Sequence, residues 1–440
     1  MTRRVKPVVC LVGSDTFNLH LVQEIAEAAD WDIVPVLSSD DVQPSQGKID
    51  FDDLLRRAEG VISDLAQGPD AIIGHLDFPV TALVSLLNRK FGLPGASPEA
   101  VARCEHKYWM RQEQAAEFPD TTPRTVPLNP FAPEAAHRDA PEYPFWMKPV
   151  KAHSSKLGHL VRDDADFDAG LHACRNHIHQ HGEPFNVFLG HLDKECGQPS
   201  EIDGNFALAE ELISAPRLFT LEGFVRKGRP VIYGAIESRR GGPSGTSLSS
   251  YHYPAAIPKS VIDTATATVG RLLKRFGFDD APFNVEFFWN DETDELHLLE
   301  INPRFSKSHS PLFRIVDGAS HHKQAIQLAL GQKPELPSGQ GAQPMAAKYM
   351  IRSTEADGLV RRVPTDDEIS ALKKLIPDLE VQVLVGQNER LSSLPDQDSY
   401  TYELADLFIG GAGHEVIEDA YRRCLDSMDF HIKPLPEGYP

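Results

Sequence analysis

From Phe283 to Phe305 the chain reads FNVEFFWNDETDELHLLEINPRF, and that stretch restricts the fold more than any other. Two apolar runs flank the polar segment Asn290–Asp294, which predicts a β-hairpin of Asn284–Trp289 and Glu295–Ile301. Glu286 lies mid-strand among apolar neighbours. Glu300 ends the second run, and Asn302 follows two residues later. Residues i and i+2 of a strand share a face, so Glu300 and Asn302 project together. Pairing of the strands can bring Glu286 alongside them. A lone strand glutamate is most often a solvated surface residue. Acids embedded in apolar sequence need partners, because an unpaired buried charge is costly. Two carboxylates and an amide oxygen that converge form a hard-oxygen site suited to Mg²⁺. Arg304 falls on the same face if the chain stays extended past Pro303, and its fork of donors can hold a phosphate or carboxylate bidentately.

The rest of the chain supplies a frame. Strand signals at Pro7–Val12, Asp32–Leu37 and Ala71–Ile73 alternate with helical spacing at Leu19–Ala29, Phe51–Glu59 and Val80–Phe91. That alternation predicts a wound parallel sheet, with ligands at the carboxyl ends of its strands. Glu99–Glu117 reads as one long helix, and Thr121–Pro144 as a Pro-rich linker. Phe145–Val150 reads as a strand, Asp166–His181 as a helix and Glu183–Asn205 as a mobile loop. Strand-like runs follow at Phe206–Ile213, Leu218–Arg226 and Pro230–Glu237. Gly241–Ser250 reads as a Gly/Ser loop and Lys259–Phe276 as a helix. The tail mixes short strands with helices near Asp366–Leu375 and Val416–Ser427. At roughly 100–200 residues per domain, 440 residues allow two to four domains or lobes.

Composition excludes several classes of partner. A net charge of −20 argues against nucleic acid, whose phosphates need a basic surface. No apolar run approaches the roughly 20 residues of a membrane span. Cys10, Cys104, Cys174, Cys196 and Cys424 form no CxxC pair and no disulfide framework, so a cytoplasmic location is expected.

With the hairpin in place, the sequence resembles the ATP-grasp enzymes. NVEFF and LHLLEINPR match that family's metal-binding signature, and the resemblance extends over most of the chain. It implies a fold of the mixed α/β and α+β kind: an N-terminal wound domain (1–105), an ATP-grasp core (106–335) with a mobile lid lobe at about 120–212, and a C-terminal α+β domain (336–440). It implies ATP and two Mg²⁺ ions, with Mn²⁺ as a substitute, held by Glu286, Glu300 and Asn302. It sets Arg304 beside the γ-phosphate and the acyl group. Lys107 in CEHKYWM and Lys148 in FWMKPVKAHSSKLG correspond to the lysines that contact ATP phosphates. Ser154 and Ser155 fall in the phosphate-covering loop, which is poor in glycine here. Glu210, Glu211 and Ile213 in EELI correspond to the adenine hinge, and Glu222 is the candidate near ribose.

Substrate residues are expected at Arg239 or Arg240 and at Ser306, Ser308 and His309, with Tyr251 and His252 as weaker candidates. His172, Cys174, His177, His179 and His181 cluster, and His177 and His181 sit four residues apart, but a solvated helix face accounts for them more simply. The resemblance implies an ATP-dependent carboxylate–amine ligase acting on small molecules, amino acids or a small peptide, through an acyl phosphate. Family members are often dimers, which leaves a homodimer open. The alternatives are a biotin-carboxylase-like enzyme and a nucleotide-binding protein without catalysis. The sequence holds no Met-Lys-Met segment of the kind that carries biotin.

Overall fold

The computed structural model describes residues 6–43, 48–152, 156–193, 201–213, 215–241, 247–354, 357–394, 397 and 401–435. The alternating N-terminal pattern becomes a three-stranded parallel sheet: β1 (Val8–Ser14) in the centre, β2 (Asp32–Ser38) on one side and, on the other, the strand Ala71–Gly74, which is β3. Val9, Leu11 and their neighbours are fully buried because helices cover both faces of a parallel sheet. Asp15 and His75 lie just past the ends of β1 and β3, and Asp77 follows two residues after His75.

The long helix expected over Glu99–Glu117 is broken in two. Pro98–Glu105 and Lys107–Glu117 are separate helices with His106 between them at φ −85°, ψ 94°. His106 stacks on Trp109 with centroids 4.1 Å apart, its Nδ1 accepts from the Trp109 N–H at 3.3 Å, and its Nε2 donates to Ile202 O at 3.0 Å. Tertiary contacts thus override a continuous helical pattern and turn Lys107 into the first residue of a new helix.

The segment read as a linker contains β4 (Thr125–Leu128) and the helix Pro133–Asp139. With β5 (Phe145–Pro149), β6 (His159–Val161) and β7 (Ala207–Glu211) it forms a four-stranded sheet in the order β4-β7-β5-β6. Phe145, Met147, Phe167, Leu171 and Cys174 fill the core beneath it. The segment read as a mobile loop begins as the helix His179–Gly190, whose Phe185, Phe188 and Leu189 are buried; its later part, 194–200, lies outside the described residues. The helix over the histidine cluster also breaks, at Ile178, so His177 and His181 stand on successive helices. Among the described residues no group of three or more His, Cys, Asp and Glu side chains is arranged to hold a metal.

The largest sheet is antiparallel and has eight strands: β8 (Arg217–Arg226), β9 (Arg229–Gly241), β10 (Ser247–Tyr253), β11 (Ala281–Asn290), β12 (Glu295–Asn302), β13 (Met345–Ser353), β15 (Glu380–Val383) and β16 (Tyr402–Gly411). They run in the order β12-β11-β8-β9-β10-β13-β16-β15, while β14 (Gly358–Arg362) pairs with β17 (His431–Pro434). Ser247–Ser250, expected in a loop, therefore opens a strand. The sheet runs unbroken across the expected boundary at 335: β10 pairs with β13 from Ser250↔Tyr349 to Tyr253↔Ala346. Phe283, Val285, Phe287 and Trp289 alternate inward on β11 and join the core with Leu272, Leu273 and Phe276 of the helix Lys259–Phe276. The other face of β11, with Asn284 and Glu286, is left for chemistry.

Candidate active site

The hairpin pairs as its sequence predicts. Glu286 stands directly opposite Glu300, and Asn284 opposite Asn302. A bulge between Glu286 and Phe287 leaves Leu299 unpaired in the ladder. Arg111 satisfies the carbonyls exposed there, donating to Leu298 O at 3.1 Å and Leu299 O at 2.8 Å. Asn302 Nδ2 donates to Asn284 Oδ1 at 3.0 Å, which leaves the Asn302 Oδ1 as the amide's open acceptor beside the two acids.

The two glutamates differ electrostatically. Burial, with Glu300 opposite, pushes the Glu286 carboxyl up to about 7. Burial would raise Glu300 too, but Lys107 and Lys148 outweigh it and hold that carboxyl below its usual value. Lys107 Nζ lies 2.8 Å from Glu300 Oε1 and donates to Ala152 O at 2.8 Å. Lys148 on β5 reaches Glu210 Oε2 at 2.6 Å. Glu210 is 4 % exposed and also receives Arg111 Nε at 2.7 Å. Arg111 and Lys148 overcome the effect of burial and bring the Glu210 carboxyl down to about 2.

Arg304 is clamped bidentately by Asp77: Nε to Oδ1 and Nη2 to Oδ2, both at 2.8 Å. Asp77 comes from the N-terminal lobe, so this pair ties the end of the hairpin to the wound sheet. Lys151 pairs with Glu105, which also accepts from Thr81 Oγ1 at 2.6 Å.

Several expected residues are placed differently. Glu222 is fully buried and turned toward the segment after Arg304: it holds His309 Nδ1 at 2.7 Å and the Ser306 N–H at 3.1 Å. That burial makes Glu222 and His309 an anchor beneath the loop. Ser306 O receives His321 Nε2 at 2.9 Å, and Ser308 Oγ accepts from Lys348 Nζ at 3.4 Å. Arg239 and Arg240 point to opposite faces, as strand residues must. Arg240 lies over the Phe288 ring at 5.0 Å, within electrostatic reach of Glu286; Arg239 faces Glu418 at 3.9 Å, away from the hairpin. Tyr251 meets His309 edge-on at 4.8 Å, whereas His252 bonds Ser250 on the other face. At the hinge, Glu210 spends its side chain on Lys148 and Arg111, Glu211 is exposed and accepts from the Arg124 N–H at 3.0 Å, and Ile213 is half-buried. Ser154 and Ser155 lie outside the described residues.

Arg111, Asp77 and Asn284 escaped the sequence reading, although each leaves a trace. Arg111 is four residues after Lys107 on one helix face, Asn284 is two before Glu286, and Asp77 lies beyond the end of a parallel strand where such sheets bind ligands.

Comparison with known proteins agrees with this geometry. Residues 141–311, which include Lys148, Glu210, Glu286, Glu300, Asn302 and Arg304, match the ATP-grasp domain family model. A curated relative, the uncharacterized protein y4rH of Sinorhizobium fredii, is 23% identical over 362 residues, spanning 81% of this chain and 67% of its own. An L-amino acid ligase from Bacillus licheniformis superposes with a TM-score of 0.72 at 15% identity, covering 99% of this chain and 100% of its own. Phosphoribosylglycinamide synthetase from Anaerococcus prevotii gives 0.61 at 14% identity over 98% and 100%. The biotin carboxylase domain of the 2-oxoglutarate carboxylase of Hydrogenobacter thermophilus, solved with MgADP, ADP and bicarbonate, gives 0.62 at 14% identity over 97% and 91%. The paired hairpin, the four-stranded lobe above it and these matches together establish that the chain carries an ATP-grasp domain and has the ATP-grasp fold.

Proposed function

We propose that the protein is an ATP-dependent ligase that activates a carboxylate as an acyl phosphate and joins it to an amine, with release of ADP and phosphate. Amino acids or small peptides are the substrates this reading names. One observation carries it. The opposed pair Glu286–Glu300 is ringed by Lys107, Lys148, Arg304 and Arg240. Such a ring suits a reaction in which one anion, a carboxylate, must approach another, a polyphosphate.

The donor set fits magnesium. Two carboxylates and a free amide oxygen are hard ligands, and Mg²⁺ commonly takes only one or two carboxylates and completes its shell with phosphate oxygens and water. Glu286, pushed up by burial and by Glu300 opposite, lacks full compensation from the protein. Bound there with ATP, the metal would neutralise charge on the transferring phosphoryl group. The chain's own groups do the rest. Lys107 and Lys148 bind phosphate oxygens. Arg304, its fork oriented by Asp77, steadies the acyl phosphate, and Arg240 holds the substrate carboxylate. The amine then attacks the acyl carbon, forms the C–N bond and expels phosphate. The same proposal sets the reaction in the cytoplasm.

The fold of the L-amino acid ligase, matched over nearly the whole length of both chains, supports this reading. The biotin carboxylase domain supports a second, in which bicarbonate is the activated acid. An ADP-release screen over paired amino acids and small carboxylic acids separates them. Acceptor-dependent ADP release is the expected result; release only with bicarbonate and biotin overturns the first reading in favour of the second.

A further inference from the structure

The cations assigned to ATP and the acyl group already stand on carboxylates of the protein. Lys148 rests on Glu210, Arg304 on Asp77 and Lys107 on Glu300. The first pair is doubly secured, because Arg111 also holds Glu210 and remains if the lysine leaves. The third pair is different. Lys107 Nζ makes the close ion pair of Glu300, at 2.8 Å, while Lys148 and Lys151 act on that carboxylate only at longer range. Lys107 is also 6 % exposed and bonded to Ala152 O, so its ammonium is held in place rather than sampling solvent.

Glu300 is also a metal ligand in the proposed function, and this inference rests on that reading. A magnesium ion binds its oxygens at about 2.1 Å. An ammonium and a dication on one carboxylate oxygen repel strongly where little water intervenes. We infer that the Lys107 ammonium is a built-in stand-in for the divalent cation at Glu300, so that metal loads only when nucleotide phosphate draws the lysine away. In the nucleotide-free protein Lys107 partly neutralises the acidic pair. When the polyphosphate arrives, Lys107 exchanges a carboxylate for a phosphate oxygen, and the vacated carboxylate accepts the metal. Free divalent ions are thereby kept off a site whose ligands otherwise suit them.

The experiment is a Mn²⁺ titration of the full chain, read by the electron paramagnetic resonance signal of unbound Mn²⁺, with and without a non-hydrolysable ATP analogue. The proteins are the wild type, Lys107→Met, Lys107→Arg and Glu300→Gln, each checked by circular dichroism. The wild type is expected to bind Mn²⁺ at least tenfold more tightly with the analogue than without it. Lys107→Met should bind Mn²⁺ at least tenfold more tightly than the wild type when nucleotide is absent. Lys107→Arg, which keeps the charge, should stay close to the wild type, and Glu300→Gln should lose the tight binding in every case. Equal nucleotide-free affinities for the wild type and Lys107→Met overturn the inference while leaving the metal site standing. No Mn²⁺ binding by the wild type even with the analogue overturns the metal site, and the inference with it.

Discussion

Two glutamate centres, Glu210 and the pair Glu286–Glu300, are electrostatic opposites. Glu210 on the four-stranded sheet receives Arg111 and Lys148 at hydrogen-bonding distance, and its carboxyl is driven down to about 2. Glu286 on the hairpin faces another carboxylate, and burial with that neighbour drives it up to about 7. The residue type is the same. What differs is whether the protein completes the charge balance. At Glu210 it does, and the result is a link between the four-stranded sheet, the helix Lys107–Glu117 and the bulge carbonyls of the hairpin. At Glu286 it does not, although Lys107 pairs with Glu300 opposite, and a cation from solution gains by binding where balance is incomplete.

Four substitutions or conditions test that contrast. Glu300→Ala should give the largest effect, a loss of acceptor-dependent ADP formation of about a hundred- to a thousandfold, as is common when a charge-stabilising group is removed. Its circular dichroism should match that of the wild type. Full activity in this variant would falsify the metal-site assignment. Glu210→Ala should act on stability instead, because it leaves Arg111 and Lys148 buried without their anion. Breaking a buried pair of this kind costs about 3–5 kcal/mol. Urea unfolding reads it directly, and a midpoint unchanged from the wild type would mean that Glu210 is not the link described.

The third test uses pH. His106 and His309 are buried neutral and pushed down to about 3, first by desolvation; His321 and His322 are lowered as well. Their folded values lie below the unfolded value near 6.5, so the unfolded chain takes up protons first as the solution is acidified. Stability is complete above about pH 6.5 and declines toward pH 3, by at most about 1.4 kcal/mol per histidine for each unit. Glu210, lowered in the fold, adds a further loss as pH falls from its ordinary value toward about 2. Thermal melts should show a midpoint that is level from pH 8 to about pH 6.5 and falls from there to pH 4, and a profile flat throughout contradicts neutral burial of these groups. The smallest effect is expected from Glu286→Gln. It removes one of two like charges directly opposed across the hairpin, so the metal-free protein should gain about 0.2–1 kcal/mol. A loss of stability there would show that the pair is already balanced and that the contrast with Glu210 is false.

How far the sequence reached depended on how local the signal was. The helices Val80–Phe91, Lys259–Phe276 and Asp366–Leu375 begin and end where their apolar period and flanking residues predict. The hairpin was legible for the same reason, since alternation along each strand sets which side chains share a face. The break at His106 was not legible. Its cause is a ring stacked on Trp109 and bonded to Ile202, nearly a hundred residues away in sequence. The strand Thr125–Leu128 was obscured by the prolines around it and becomes a strand only by pairing with Ala207–Glu210.

The sequence by itself determined that acids are buried on a hairpin, that Glu300 and Asn302 share its face, and that a wound parallel sheet precedes them. Those are consequences of period and of the cost of burying charge. Only the tertiary structure decided which carboxylates are neutralised and which are not. It set Asp77 on Arg304, Arg111 and Lys148 on Glu210, Lys107 on Glu300, and sent Arg240 toward the hairpin but Arg239 away from it. The electrostatic state of a buried group depends on charges within a few ångströms, whatever their separation along the chain. No spacing in the sequence records those distances.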